Sequence, residues 1–141
     1  LRCITDRPTP GRNPIARASG ESRAIHLTLK ADLYVEIATA PDSEFVNAWF
    51  IEVDLGTETI STLLKKCRDY EAYRRSGIEQ ADEGGFPLVA WSVTHSDPSK
   101  GQQRRLALQA AIERDRTLTP ELFRIVAPDQ LVSLLRVGGA S

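Results

Sequence analysis

The sequence is poor in the residues that build metal-bound or cross-linked scaffolds. Its 141 residues include 2 cysteines, 2 histidines and no methionine. Cys3 and Cys67 lie far apart and form no C-x-x-C pair, which argues against a cysteine zinc site and against a disulfide framework. His26 and His95 are too distant in sequence to indicate a metal-binding pair. Cysteine usage therefore favours a reducing, cytoplasmic location.

Long hydrophobic runs and an excess of one charge are also missing. No apolar run is longer than residues 48–51, whereas a membrane-spanning helix needs roughly 18 apolar residues. No signal peptide is visible, so we expect no membrane association. The 18 basic and 19 acidic residues leave a net charge of −1, and thus no overall basic field that would indicate a nucleic-acid binder.

Three common catalytic sequence motifs are absent as well. The chain has no glycine-rich phosphate loop, no dinucleotide-binding glycine motif and no Gly-x-Ser-x-Gly nucleophile turn. These absences argue against a nucleotide hydrolase, a dinucleotide-dependent enzyme and a serine hydrolase.

The length and a hydrophobic fraction of 41% fit one domain with its own core. Residues 1–22 contain prolines and glycines but no hydrophobic period, which predicts a linker or irregular lead-in. Because residue 1 is Leu rather than Met, we expect the chain to be a piece of a longer protein. Residues 23–128 are predicted to form the α/β domain, and residues 129–141 a short terminal helix and tail.

Four segments have the pattern of β-strands. Apolar side chains alternate with polar ones over residues 32–37 and again over residues 49–54, which predicts a hairpin. Residues 87–93 are almost entirely apolar, as in a central strand that is covered on both faces. Residues 122–126 form a last short strand.

Two segments have the pattern of helices. Apolar residues recur at three- and four-residue spacing from Ile60 to Tyr70, so a helix should begin near Thr57 or Glu58 and end at about Arg75. A second helix should begin within residues 96–99. Its inner side is predicted to carry Leu106, Ala107, Ala110, Ala111 and Ile112. The order β-β-α-β-α-β predicts an α/β fold with a mixed central sheet flanked by helices.

Three carboxylates fall on one predicted face of the hairpin. Glu52 and Asp54 are two residues apart and point the same way, and Asp32 lies on the polar side of the neighbouring strand. Close carboxylates repel one another unless a hard divalent cation lies between them, so Asp32, Glu52 and Asp54 are candidate ligands for Mg²⁺ or Mn²⁺. The alternative is that they are ordinary solvated residues on the outer side of amphipathic strands.

Several basic residues lie on the two predicted helices. Lys66 lies at the edge of the apolar stripe of the first helix, where its ammonium could reach a phosphate or an attacking water, whereas Lys65 points away. A snorkelling lysine that covers apolar surface is the alternative for Lys66. A local basic patch can bind a DNA backbone even in a neutral chain. The candidates for it are Lys65, Arg68, Arg74, Arg104 and Arg105, and the alternative is that they are solvated surface charges.

Three segments together resemble the replication-relaxation family of plasmids and integrative elements. They are the Asp-aromatic segment at residues 30–34, the Glu-x-Asp-x-Gly-Thr-Glu block within residues 49–58 and the Lys-x-x-x-Tyr helix at residues 66–70. Residues 87–89 and Arg105 before Leu106 also match, so the resemblance extends over about residues 26–126. It implies a role in plasmid replication and mobilisation, and members usually carry an upstream winged-helix DNA-binding domain.

The family domain is similar in turn to the restriction-endonuclease-like PD-(D/E)-x-K fold. By that resemblance Asp32 takes the first acidic position and Glu52 the second, while the usual lysine position holds Asp54. Some members of the fold carry the lysine on the following helix, where Lys66 lies. The resemblance implies either a Mg²⁺-dependent deoxyribonuclease or an inactive nuclease-like domain, with Asp32, Glu52, Asp54 and Lys66 as its site and DNA as its partner.

A non-catalytic role is the alternative that these residues leave open. In it, the domain is a scaffold that forms a homodimer or docks a replication or transfer protein. Asp32, Glu52 and Lys66 would then form a buried polar network in which lysine and carboxylates satisfy one another.

Overall fold

Two antiparallel and two parallel pairings join five strands into one mixed sheet. The computed structural model describes residues 2–4, 29–38, 46–77 and 86–138. The strands are β1 (Arg2–Ile4), β2 (Leu33–Ala38), β3 (Val46–Asp54), β4 (Leu88–Val93) and β5 (Phe123–Val126), and they lie side by side in chain order. The helices are α1 (Ile60–Ser76), α2 (Pro98–Arg114) and α3 (Leu131–Val137), with 3₁₀ turns at Pro120–Leu122 and Pro128–Gln130.

The predicted mixed sheet with flanking helices is confirmed. β2 pairs antiparallel with β3, as expected for the two strands of the predicted hairpin, and β3, β4 and β5 run parallel. Residues 89–93 of β4 are all buried, because helices cover both faces of the sheet at its centre. Parallel neighbours need a helical crossover, and α1 and α2 supply the two that are required.

The core has two parts, one on each face of the sheet. α1 and α2 pack against one face, where Tyr34, Phe50 and Trp91 contribute large buried strand side chains. α3 packs against the other face through Leu135, which belongs to one buried cluster with Trp49 and Ile51. Alternate residues of β3 therefore point to opposite layers, and Glu52 and Asp54 share the α1 and α2 side with Phe50.

The first helix begins slightly later than the sequence predicts. Thr59, rather than Thr57 or Glu58, is its N-cap, and the Thr59 hydroxyl oxygen accepts a hydrogen bond of 3.2 Å from the Thr62 N–H. The preceding turn needs Gly56, whose φ of +86° is unfavourable for other residues. A Cβ atom there would also lie 2.8 Å from the His95 ring. This turn delays the start of α1.

The predicted inner face of the second helix is partly wrong. Leu106 is 63% exposed and Ala107 is also exposed, whereas Leu108 and Ile112 are buried. The buried stripe of α2 starts at Gly101, which packs close to the His95 backbone, and a 3.6-residue period from that position reaches Leu108 and Ile112. Alanines and leucines occupy most positions from Leu106 to Ile112, so the sequence alone does not show which face of the helix is buried.

Three predictions concern the ends of the chain. Residues 2–4 lie within the predicted irregular lead-in but form β1, because their backbone pairs with β2 and such pairing needs no hydrophobic period. Residues 5–22 and the tail at 139–141 lie outside the described residues. The predicted terminal helix is present as α3. Among the described residues, no helix has the length and apolar character needed to cross a membrane.

Candidate functional site

The hairpin brings Asp32 next to Glu52, as the sequence predicts. Leu33 pairs with Ile51, which puts Asp32, the residue just before β2, across from Glu52. The Asp32 carboxylate is fixed because its Oδ2 accepts a hydrogen bond of 2.9 Å from the Val53 N–H. Glu52 is buried below it, and both residues line a pocket of about 390 Å³ beside the first turns of α1.

Two side chains of α1 reach the Glu52 carboxylate. The Tyr70 hydroxyl donates a short hydrogen bond to Glu52 Oε1, and Lys66 Nζ lies 3.6 Å from the same oxygen. Lys66 also donates a hydrogen bond of 2.7 Å to the Lys30 carbonyl, which ties α1 to the segment before β2. Lys65 is exposed, whereas the Lys66 side chain is only 29% exposed. The predicted difference in exposure between the two lysines is therefore confirmed, although Lys65 lines the same pocket rather than pointing away from it.

Burial controls the protonation of this site. It raises the pKa of Glu52 from 4.5 to about 7, with a smaller increase from the nearby Asp32 carboxylate. The Tyr70 hydroxyl and the Lys66 charge oppose that shift without cancelling it. Burial and the Glu52 charge also raise the pKa of Tyr70, which therefore keeps its proton and remains a donor. Glu52 is thus poised to bind or release a proton near neutral pH.

Asp54 does not join the carboxylates it was predicted to accompany. Arg104 donates from Nη2 to Asp54 Oδ1 at 2.8 Å and from Nε to Oδ2, and also reaches the Glu58 carbonyl. Asp54 is buried and Arg104 is partly buried, with side chains 1% and 13% exposed respectively. Within the part of the chain that the structure describes, no group of three His, Cys, Asp or Glu residues is arranged to hold a metal ion. The structure brings together Asp32, Glu52 and Lys66 and assigns Asp54 to a different contact.

Most of the predicted DNA-binding cations also have partners within the protein. Arg104 binds Asp54, as above, and Arg105 donates to the Val93 carbonyl at 2.9 Å. Arg68 forms an ion pair of 2.9 Å with Asp115, although half of its side chain stays exposed. Arg74 binds Glu71, and Lys65 lines the pocket and is exposed.

Sequence reasoning missed the role of Glu71. This carboxylate is buried and accepts hydrogen bonds from the Thr119 N–H and from Arg74, which also donates to the Thr119 hydroxyl. Burial opposes ionisation, but these hydrogen bonds outweigh it and hold the pKa of Glu71 below its ordinary value. Glu71 follows Cys67 by four residues, so its place on the buried stripe was the available signal. It attaches the loop after α2 to α1.

Comparison with protein families gives a match over the first part of the domain. A family model described as replication-relaxation matches residues 8–89, which is more than half of the chain. The matched segment contains the hairpin and α1, and with them Asp32, Glu52, Lys66 and Tyr70, whereas Arg104 lies beyond it. Comparison with curated proteins and with solved structures finds no match.

Proposed function

The chain belongs to the replication-relaxation family, and on that premise we propose that its α/β domain processes DNA in the replication or mobilisation of a plasmid or other mobile element. Asp32, Glu52 and Lys66 would form its phosphodiester site. One observation carries this proposal: Lys66 Nζ lies 3.6 Å from Glu52 Oε1, beside a pocket that Asp32 also lines.

The order of these residues along the fold supports a restriction-endonuclease-like core. An aspartate precedes the first hairpin strand, a glutamate lies on the second and a lysine lies on the helix that follows. Asp54 occupies the strand position where such nucleases usually carry the lysine, but Arg104 neutralises it. Asp54 therefore adds no uncompensated negative charge to a site that must accept a phosphate.

The donors in the pocket fit a single divalent cation. Mg²⁺ is commonly bound in proteins by one or two carboxylates, with waters and substrate phosphates as its remaining ligands. Asp32 and Glu52 supply two such carboxylates, one at the solvent-facing side of the pocket and one buried. When bound, Mg²⁺ or Mn²⁺ would polarise a phosphodiester and lower the pKa of a water molecule.

The protein groups around these carboxylates have separate tasks in the proposal. The Val53 N–H holds the Asp32 carboxylate in place at 2.9 Å. The Lys66 ammonium offsets the charge of Glu52 and would stabilise negative charge that develops on a phosphate. Lys65, exposed at the same pocket, would contact the DNA backbone and position it.

Incubation of the protein with supercoiled plasmid and Mg²⁺ or Mn²⁺ tests the proposal. We expect nicked or linear product that requires the metal and is lost in Glu52→Gln and Asp32→Asn, which preserve side-chain volume. Glu113→Gln is the matched control, because Glu113 is exposed on α2 and contacts Gln109 only through a surface hydrogen bond. Cutting that persists in Glu52→Gln would contradict the assignment of this site.

The burial of Glu52 favours a second candidate, a non-catalytic scaffold that forms a homodimer or docks a replication or transfer protein. In that case the contacts with Tyr70 and Lys66 would serve only to satisfy a buried carboxyl group. Calorimetry with Mn²⁺ separates the two functions. Absence of metal binding, together with a lower free energy of unfolding in Glu52→Ala and a dimer on a sizing column, would favour the scaffold.

A further inference from the structure

Tyr70 contacts the candidate site but has no task in the proposed chemistry. Its side chain is fully buried in α1, one helical turn after Lys66. The hydroxyl group of Tyr70 and the ammonium group of Lys66 both approach Glu52 Oε1. One oxygen of the carboxylate is thus engaged twice from the same helix.

Packing fixes the position of the Tyr70 hydroxyl. The Tyr70 ring lies 5.4 Å from the Phe50 ring between centroids, and Phe50 is on β3 two residues before Glu52. Strand residues two apart point to the same face, so the Phe50 ring and the Glu52 carboxylate both face Tyr70. The ring contact holds Tyr70 in place, and the hydroxyl in turn holds the carboxylate.

We propose that Tyr70 is a positioning residue for the metal site: by binding Oε1, it orients Glu52 so that Oε2 is left to bind a divalent cation with Asp32. This inference rests on the proposed function. Partners that hydrogen-bond to a metal ligand fix its orientation, and their removal typically lowers metal affinity by about 10- to 100-fold. Tyr70 would exert such an effect without touching the metal or the DNA.

The same sheet offers a matched control. The Tyr34 hydroxyl donates to Glu36 Oε1 at 3.0 Å, and Tyr34 is also buried, but neither residue lines the pocket. Tyr34→Phe and Tyr70→Phe therefore each remove one hydroxyl group that binds a carboxylate. A loss of stability alone would affect both variants, whereas a positioning role at the metal site belongs only to Tyr70.

The test measures Mn²⁺ affinity by calorimetry and Tb³⁺ luminescence. Trp91 pairs with Glu52 in the sheet and lines the pocket, so it should sensitise emission from Tb³⁺ bound there. We expect Tyr70→Phe to weaken Mn²⁺ binding about tenfold or more and to reduce Tb³⁺ emission, with Tyr34→Phe unchanged within about twofold. Saturating Mn²⁺ should restore plasmid cutting by Tyr70→Phe, which damage to the fold would not allow.

Two other outcomes have different consequences. Wild-type protein that binds neither Mn²⁺ nor Tb³⁺ would overturn the proposed function and the role of Tyr70 with it. Wild-type binding that Tyr70→Phe retains unchanged, or that Tyr34→Phe loses equally, would overturn the positioning role alone and leave the proposed function standing.

Discussion

Arg104 binds both carboxylate oxygens of Asp54, although fifty positions separate the two residues along the chain. The contact joins the end of β3 to α2, and the same guanidinium reaches the Glu58 carbonyl in the turn before α1. Such planar, two-point recognition of a carboxylate is a property of arginine that lysine cannot reproduce. The contact of Asp54 with Arg104 therefore fixes the turn that precedes α1. Because Lys66 lies on α1, the same contact helps to set the position of Lys66.

Asp54→Ala should therefore destabilise the domain. Removal of one member of a buried ion pair leaves the other charge uncompensated, which typically costs about 3–5 kcal/mol. We expect a loss near the lower limit, about 3 kcal/mol, because 13% of the Arg104 side chain reaches solvent. Urea unfolding measures this loss, with exposed Lys100→Ala on the same helix as control. A loss below about 1 kcal/mol would show that the pair is not a structural contact.

The fold of this region was largely predictable from local sequence pattern. Alternation identified the hairpin, the apolar run at residues 88–93 identified the central strand, and spacing from Ile60 to Tyr70 identified α1. Burial of one face or of both faces gives each of these segments its own pattern of apolar residues, and that pattern can be read locally. β1 has no such pattern, because its three residues pair with β2 through their backbone.

The candidate site was predictable only in part, for a physical reason. The proximity of Asp32 to Glu52 and the different exposure of Lys66 and Lys65 could be predicted, because strand alternation and helix periodicity are short-range patterns. The partner of Asp54 lies on α2, and periodicity within β3 contains no information about which distant arginine reaches it. The same limit explains Arg68, which pairs with Asp115 across two elements.

Glu71→Gln should detach the loop after α2 from α1. Glutamine keeps the volume but loses the charge that receives hydrogen bonds from Thr119 and Arg74. Hydrogen bonds to charged groups contribute about 1.5–3 kcal/mol, so we expect a loss of about 2 kcal/mol at pH 7. Glu113→Gln should change stability by less than about 0.5 kcal/mol.

The acid dependence of this effect has a definite sign. The folded-state pKa of Glu71 is depressed, so its stabilising contribution is present above the unfolded pKa and is lost as pH falls through the folded value. The difference between wild type and Glu71→Gln in urea melts should therefore shrink as the pH is lowered towards 3. A difference that stays constant would show that the Glu71 charge is not involved.

Lys66→Ala and Lys65→Ala should have unequal effects. Lys66 Nζ contacts Glu52 and the Lys30 carbonyl, and its loss leaves a buried carboxyl group and a carbonyl without that partner. Because the side chain is partly solvated, we expect a cost of about 1–2 kcal/mol, below that of a fully buried pair. Lys65→Ala should stay within about 0.5 kcal/mol. Equal effects in parallel urea melts would contradict the role of Lys66 as the link between α1 and the hairpin.

Glu52 should make the domain less stable as the pH rises. Burial raises its pKa in the folded state to about 7, above the ordinary value of 4.5, so the folded protein favours the neutral carboxyl group. The stabilising contribution of that neutral form is complete below pH 4.5 and is lost as the pH rises through 7. Because a shift of one pKa unit corresponds to about 1.4 kcal/mol, the full change in the free energy of unfolding amounts to about 3 kcal/mol.

Comparison of wild type with Glu52→Gln isolates this contribution, because all other titrating groups are shared. In buffer with a metal chelator, the free energy of unfolding of wild type should fall relative to the variant between pH 5 and 8, by up to about 1.4 kcal/mol per pH unit. Glutamine cannot ionise, so the variant should gain in relative stability at alkaline pH even though it loses the charged contact with Lys66. A difference that does not change with pH would show that Glu52 does not titrate in this range and that burial does not bring its pKa to about 7.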